Sequence, residues 1–504
     1  VNESIGQWTV PNEMFIDGRW RPACDGRRVD VVDPATEQVV TTVPMAEDAD
    51  IDEALASSAA GFALWRATSA WERSAVLRRM CQIMRDDVQR YAEIMTIEQG
   101  KPLAQARAEV LASADQFDWY ADEARRIYGR TVDGHTIDTR ITVRREPVGP
   151  VAAFAAWNFP SLLPARKIAP ALAAGCSVIA VPPIESPLSA LLLGEAAQRA
   201  GLPPGVLNLI TGDPAKLSGR LLASPTIRKV SLTGSVPVGI ILTTLAAKTL
   251  KCVSMELGGH SPVLVFADAD IEAAARACAL GKFRNAGQVC ISASRFLVHE
   301  SIADEFTRVF VEQTQGLRLG AGSDPDTDMG PLGSEKRREA VEALVSDAVS
   351  KGATVAHGGY RPEEFAAGFF FAPTVLTGVS ADMDVMTEEP FGPIAPITTF
   401  ATFDEAIAVA NSTEYGLAGF VYTRDLDTAY RASEALETGM VGVNHLTIAT
   451  AEVPFGGVKY SGFGREGGSE GILDYTYAKL VSVLLPGPPP GWDRASGPDS
   501  GGGV

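Results

Sequence analysis

From Val148 onward the chain repeats one unit: a short apolar run, a helical stretch, then another apolar run, at intervals of roughly 25 to 30 residues. Runs joined in this way pair in parallel, because a parallel neighbour needs a crossover of a dozen or more residues, which is usually a helix. The first series is Val151 to Ala156, Ser177 to Val181, Val206 to Ile210 and Lys229 to Leu232. The second is Val263 to Phe266, Phe296 to Val298, Ile394 to Phe400, Gly419 to Tyr422 and Met440 to Val443. Two α/β domains are therefore expected, with Glu256-Leu257-Gly258-Gly259 at their junction, where paired glycines permit a tight turn.

Ahead of that rhythm, Ala49 to about Arg126 is helical in pattern. Leu77, Met80, Cys81, Met84 and Val88 make one apolar stripe, and Ser69 with Glu72 makes a capping box. A chain of 504 residues exceeds what one core serves, and 46% hydrophobic with 21% charged residues is a globular composition. The formal charge of -18 repels phosphate backbones and anionic lipid, which excludes nucleic acid and membrane surfaces as partners. The six cysteines lack CxxC spacing, which argues against both a disulfide framework and a structural zinc, and no metal is expected. With neither a spanning segment nor a signal pattern, a reducing cytoplasmic location is expected.

Several residues carry possible chemistry, and taken singly each also has a plainer reading. Cys290 follows Asn285-Ala286-Gly287-Gln288-Val289 and fits either a buried thiol or a nucleophile beside a glycine that lets backbone approach a ligand. Asn158, at the end of an apolar strand, fits an Asx turn before Pro160 or a ligand-facing loop. Glu256 fits a solvated turn carboxylate or a general base. Thr233-Gly234-Ser235 followed by Gly239 fits a phosphate-cradling strand-to-helix turn, a weak signal alone.

The ordered set narrows this. Trp157-Asn158-Phe159-Pro160, Leu232-Thr233-Gly234-Ser235, Glu256-Leu257-Gly258-Gly259, Gly287-Gln288-Val289-Cys290, Glu389-Pro390-Phe391-Gly392-Pro393 and Pro454-Phe455-Gly456-Gly457-Val458-Lys459 occur in that sequence. From about Met14 to Val483 the chain resembles the aldehyde dehydrogenase superfamily, and within it the succinate-semialdehyde dehydrogenase branch. The resemblance implies a Rossmann-like cofactor domain (1-126 and 146-256) and an α/β catalytic domain (257-445). It also implies an oligomerisation arm with a bridging segment (127-145 and 446-485), which makes a homodimer or homotetramer; the tail at 486-504 is expected to be disordered.

It further implies that Cys290 attacks the aldehyde, that the Asn158 amide holds the oxyanion, and that Glu256 drives hydrolysis of the resulting thioester by water rather than transfer to coenzyme A. Lys167 and Glu466 match positions linked to proton handling. For the cofactor, NAD with NADP possible, the resemblance assigns Gly234, Ser235 and Gly239 to the pyrophosphate turn. Glu389 and Phe391 fall to the nicotinamide ribose and ring, and Trp157 and Leu257 to the cleft wall. Val181 and Ile184 stand where relatives carry a Lys and often a Glu that contact the adenosine ribose, so those hydrogen bonds are expected to be missing. For the substrate, a small aldehyde, Arg166 and Arg284 match a pair that grips a remote carboxylate. Phe159 and Phe455 line the same site, and Ala449 replaces the branch's serine. A bulkier or aromatic aldehyde, or a cofactor-poor thioesterase, are the alternatives at this point.

Overall fold

The computed structural model describes residues 2–136 and 138–485, so the tail at 486–504 lies outside the described residues. Four helices, Asp48–Trp65, Ala70–Asp86, Val88–Gln99 and Leu103–Glu123, fill the region of helical pattern. The capping box forms: the Ser69 hydroxyl accepts from the Glu72 amide at 3.2 Å, and the Glu72 carboxylate accepts from the Ser69 amide at 3.1 Å. Leu77, Met80, Cys81 and Met84 are all buried, while Val88 opens the next helix.

Five parallel strands make the centre of one sheet, in the spatial order Cys252–Glu256, Lys229–Thr233, Val151–Phe154, Val178–Val181, Leu207–Leu209. The chain runs outward from Val151–Phe154 in one direction, then returns to build Lys229–Thr233 on the other side. At such a reversal the loops leave the strand ends in opposite directions and open a crevice. Asn158 and Gly234 both emerge at that crevice. Met14–Ile16 and Arg19–Arg21 extend one edge antiparallel, and Gly462–Phe463 pairs antiparallel with Cys252–Glu256 at the other.

The second sheet runs Thr354–His357, Thr374–Thr377, Ile394–Phe400, Ala293–His299, Ser261–Val265, Ala418–Tyr422, Met440–Val443, with only the first strand antiparallel. Ala293–His299 is buried over its first six residues, as a strand covered by helices on both faces should be. A third, antiparallel sheet of Arg130–Asp133, Thr139–Pro147 and Thr476–Leu484 stands apart and largely exposed.

Candidate active site

The backbone before Cys290 is unusual. The helix Ile271–Phe283 ends in a short turn in which Asn285, Ala286 and Gly287 all take positive φ, at 49°, 54° and 72°. Left-handed backbone at consecutive non-glycine residues is unfavourable and persists only where surroundings hold it. Here they do. Asn285 Nδ2 donates to the carbonyls of Asn158, at 3.0 Å, and Gln288, at 3.2 Å, while its Oδ1 accepts from Gln99 Nε2 at 3.1 Å. Gly287 must be glycine, because a side chain there would collide with the Gly392 carbonyl oxygen.

The same network fixes Asn158, which is 2% exposed. Its Nδ2 donates to the Gln288 carbonyl at 3.0 Å. A side-chain amide nitrogen has two hydrogens, so one remains for a ligand. Cys290 itself is partly exposed at the meeting point of two cavities.

Glu256 ends its strand opposite Thr233, which ends the neighbouring one. It is buried, with the Cys290 thiol beside its carboxyl group. Burial, reinforced by the negative charge of Glu466, pushes its carboxyl up to about 8, against the opposing pull of Lys167 and Arg166. Burial likewise pushes the Cys290 thiol well above its usual value, with Glu256 and Glu389 adding to the effect and Arg166 opposing it. Behind Glu256, Lys167 Nζ donates to Glu466 Oε1 and to Thr233 Oγ1, each at 2.5 Å. Lys167 and Glu466 are therefore one buried unit beneath the site.

One cavity, of about 580 Å³, opens from the crevice of the first sheet. Trp157, Gly234, Ser235, Leu257, Glu389 and Phe391 line it as the sequence suggested. The glycine pair 258–259 serves close approach: a side chain at Gly258 would strike the Glu389 carboxylate, and one at Gly259 would lie 2.6 Å from the Cys290 carbonyl. Glu389 Oε1 accepts from the Gly259 amide at 3.1 Å, and burial raises its carboxyl to about 7. Trp157 and Phe391 meet edge to face at 5.7 Å.

Three expected cofactor positions fall elsewhere. Gly239 lies beneath Leu257, where a Cβ would come within 2.6 Å of that side chain, so its glycine serves helix packing. Val181 is 5% exposed in the core, Ile184 packs against the core, and neither lines the cavity; Glu185 does. Two residues that the motifs did not suggest, Lys336 and Arg337, form part of the wall, and Arg337 Nε is buried with no hydrogen-bond partner.

A dinucleotide fits this donor set. Ser235 occupies the N-cap position of the helix Val236–Ala247, without a side-chain capping bond, and the partial positive charge of that N-terminus suits a diphosphate. Lys336 and Arg337 add cations on the facing wall.

The second cavity, of about 320 Å³, reaches Cys290 from the other side. Phe159, Leu162, Leu163, Val289, Ile291, Ala449 and Phe455 make it apolar, and Arg166 and Arg284 project into it. Arg166 is 2% exposed and lies 4.1 Å over the Phe455 ring. Its Nε has no hydrogen-bond partner, and among the described residues neither arginine forms a salt bridge, while the charge of Glu256 acts on Arg166 and that of Glu109 on Arg284 from farther away. A buried guanidinium without an anion is costly, and a ligand that supplies one removes the cost.

Comparison with known proteins agrees with this geometry. Residues 20–481 match the aldehyde dehydrogenase family. The chain is 44% identical to a 3-sulfolactaldehyde dehydrogenase of Pseudomonas putida, over 94% of this chain and 97% of that one. It is 42% identical to the NADP(+) succinate-semialdehyde dehydrogenase of Escherichia coli K12, over 94% and 98% of the two chains. The crystal structure of an aldehyde dehydrogenase from Brucella melitensis biovar abortus 2308 superposes with a TM-score of 0.93 at 44% identity, covering 95% of this chain and 98% of that one.

Proposed function

Because the chain belongs to the aldehyde dehydrogenase family, whose members use NAD or NADP, we propose that it oxidises an aldehyde bearing a remote anionic group to the carboxylic acid, through a thioester on Cys290. The observation that carries this reading is the junction at Cys290 of two cavities, one suited to a dinucleotide and one holding a buried arginine that forms no salt bridge.

An aldehyde carbon releases hydride only after a nucleophile has added to it. The Cys290 thiol releases its proton to solvent as its sulfur forms the bond to that carbon, and the carbonyl electrons move onto oxygen. The free N–H of Asn158 Nδ2 meets the oxyanion, a donor whose loss typically slows such reactions about a hundredfold or more. The nicotinamide ring, when bound, accepts the hydride. The acyl group is then held on sulfur as a thioester. Glu256, once ionised, takes a proton from water as the water oxygen bonds to the acyl carbon, and the C–S bond breaks to release the acid and restore Cys290. The intact Glu256 carboxylate supports water as the acyl acceptor.

Arg166 and Arg284 hold the far anion and set the distance to Cys290. The two relatives act on a sulfonated aldehyde and on a carboxylated one, which supports an anion as the common feature. Trp157, Glu389 and Phe391 seat the nicotinamide half of the cofactor, and Lys336 and Arg337 supplement the diphosphate contacts. We favour NAD, since Glu185, the residue of this segment that lines the cavity, is a carboxyl group and offers no cation for a 2'-phosphate.

A homo-oligomer accounts for two exposed apolar surfaces. One is the helix Val236–Ala247, with Ile240 at 52% and Ile241 at 56% exposure; the other is the third sheet, with Leu480 at 65% and Leu484 at 74%. No described helix is long and apolar enough to cross a membrane, and all six cysteines are unpaired, which supports a reducing cytoplasmic setting.

The test is the formation of reduced nicotinamide with aldehydes of equal length that end in carboxylate, sulfonate or a neutral amide. The anionic pair should react with kcat/KM at least about tenfold above the amide, and Arg166→Met should erase that preference. Equal rates for all three would refute anion recognition.

A further inference from the structure

A second buried ion pair lies in the wall of the 320 Å³ cavity and has no step in the chemistry above. Lys101 and Glu109 form a salt bridge with side chains 1% exposed. Gly100 ends the helix Val88–Gln99 in the left-handed conformation, at φ 91°, and so turns Lys101 inward. Lys101 Nζ donates to the Asn158 carbonyl at 2.8 Å and stands 4.2 Å from the Phe159 ring centroid. Glu109 Oε1 accepts from the amides of Ser161, at 2.9 Å, and Leu162, at 3.2 Å, at the start of the helix Leu162–Ala174.

A buried ion pair contributes little net stability compared with apolar residues of the same shape. This one grips both ends of the segment 158–162. One end carries the Asn158 amide, and the other begins the helix that bears Arg166 and Lys167. Resting on the dehydrogenase reading above, we propose that Lys101 and Glu109 are positioning residues, a brace that holds Asn158 where the oxyanion forms. The brace completes a ring around Asn158, whose carbonyl also accepts from Asn285 and whose Nδ2 is anchored on Gln288. Misplacing a reacting group by about 1 Å can slow a reaction on the order of a hundredfold. The pair therefore acts on the hydride-forming step, through Asn158, with no contact to substrate required.

Single-turnover formation of reduced nicotinamide in the full-length protein tests this. Lys101→Met/Glu109→Gln removes both charges together and strands neither. It should slow the burst on the order of a hundredfold while KM for the anionic aldehyde stays within about twofold. In the Asn158→Ala background the same double substitution should produce no further slowing. Lys101→Arg keeps the pair ionised but puts a longer, planar guanidinium where the compact ammonium bridges Glu109 and the Asn158 carbonyl, and should also slow the burst, which provides the reading if the double variant does not fold. An unchanged burst, slowing that multiplies with Asn158→Ala, or a raised KM at unchanged burst rate would overturn the proposal, the last by making Lys101 a substrate ligand. No burst in the wild type would refute the thioester reading itself, a separate result.

Discussion

At Cys290 and Glu256 two weak acids share one enclosed junction, and burial makes both hold their protons more tightly. For Glu256 the sign is simple. A carboxyl raised to about 8 is protonated at neutral pH, and only the ionised form can take a proton from water. Thioester hydrolysis should therefore rise about tenfold per pH unit below pH 8 and level off above it. The slow phase after a burst of reduced nicotinamide, followed from pH 6 to 9.5, measures this; a flat profile would mean that another group activates the water. Which residues were legible follows from how they work. Cys290, Asn158, Glu256 and Glu389 sit in short contiguous segments whose glycines and prolines build the local backbone, so the sequence shows them. Lys101, Glu109, Lys336 and Arg337 reach the two cavities only once the chain is folded, and each reads in isolation as an ordinary charge.

At the scale of elements, the left-handed turn over 285–287 is what presents Cys290 between the two cavities. Its glycine is the sensitive point. Gly287→Ala places a methyl group against the Gly392 carbonyl at a φ of 72°, so a loss of about 1 to 3 kcal/mol is expected together with a smaller burst amplitude. Denaturant unfolding and burst amplitude measure the two effects; a fully stable and fully active variant would show that the turn can relax. The strand rhythm was readable wherever the runs were apolar on both faces, as in Val178–Val181. It passed over Cys252–Glu256, whose first residue is exposed and whose last is a buried carboxylate, and Thr374–Thr377, whose two threonines flank only two apolar residues. The strand that ends in Glu256 was thus hidden by the residue that makes it functional. Gly239 shows the converse: a glycine assigned to cofactor approach lies against the Leu257 side chain and outside the cavity lining.

Across the whole molecule, a formal charge of -18 surrounds two cavities that each receive cations, Arg166 and Arg284 in one and Lys336 and Arg337 in the other. Anionic ligands are drawn to these local sites against the overall field. The third sheet has exposed edges and an apolar surface, which the homo-oligomer proposed above would cover. Leu480→Asp/Leu484→Asp should lower the sedimenting mass, with the burst retained in the smaller species; an unchanged mass would remove this sheet from the interface. The chemistry at Cys290 is tested most directly by intact-mass analysis of the Glu256→Gln variant mixed with NAD and an anionic aldehyde. One acyl group per chain, localised to Cys290 and formed together with one equivalent of reduced nicotinamide, is the expected result. Steady turnover with no adduct on Cys290 would contradict it.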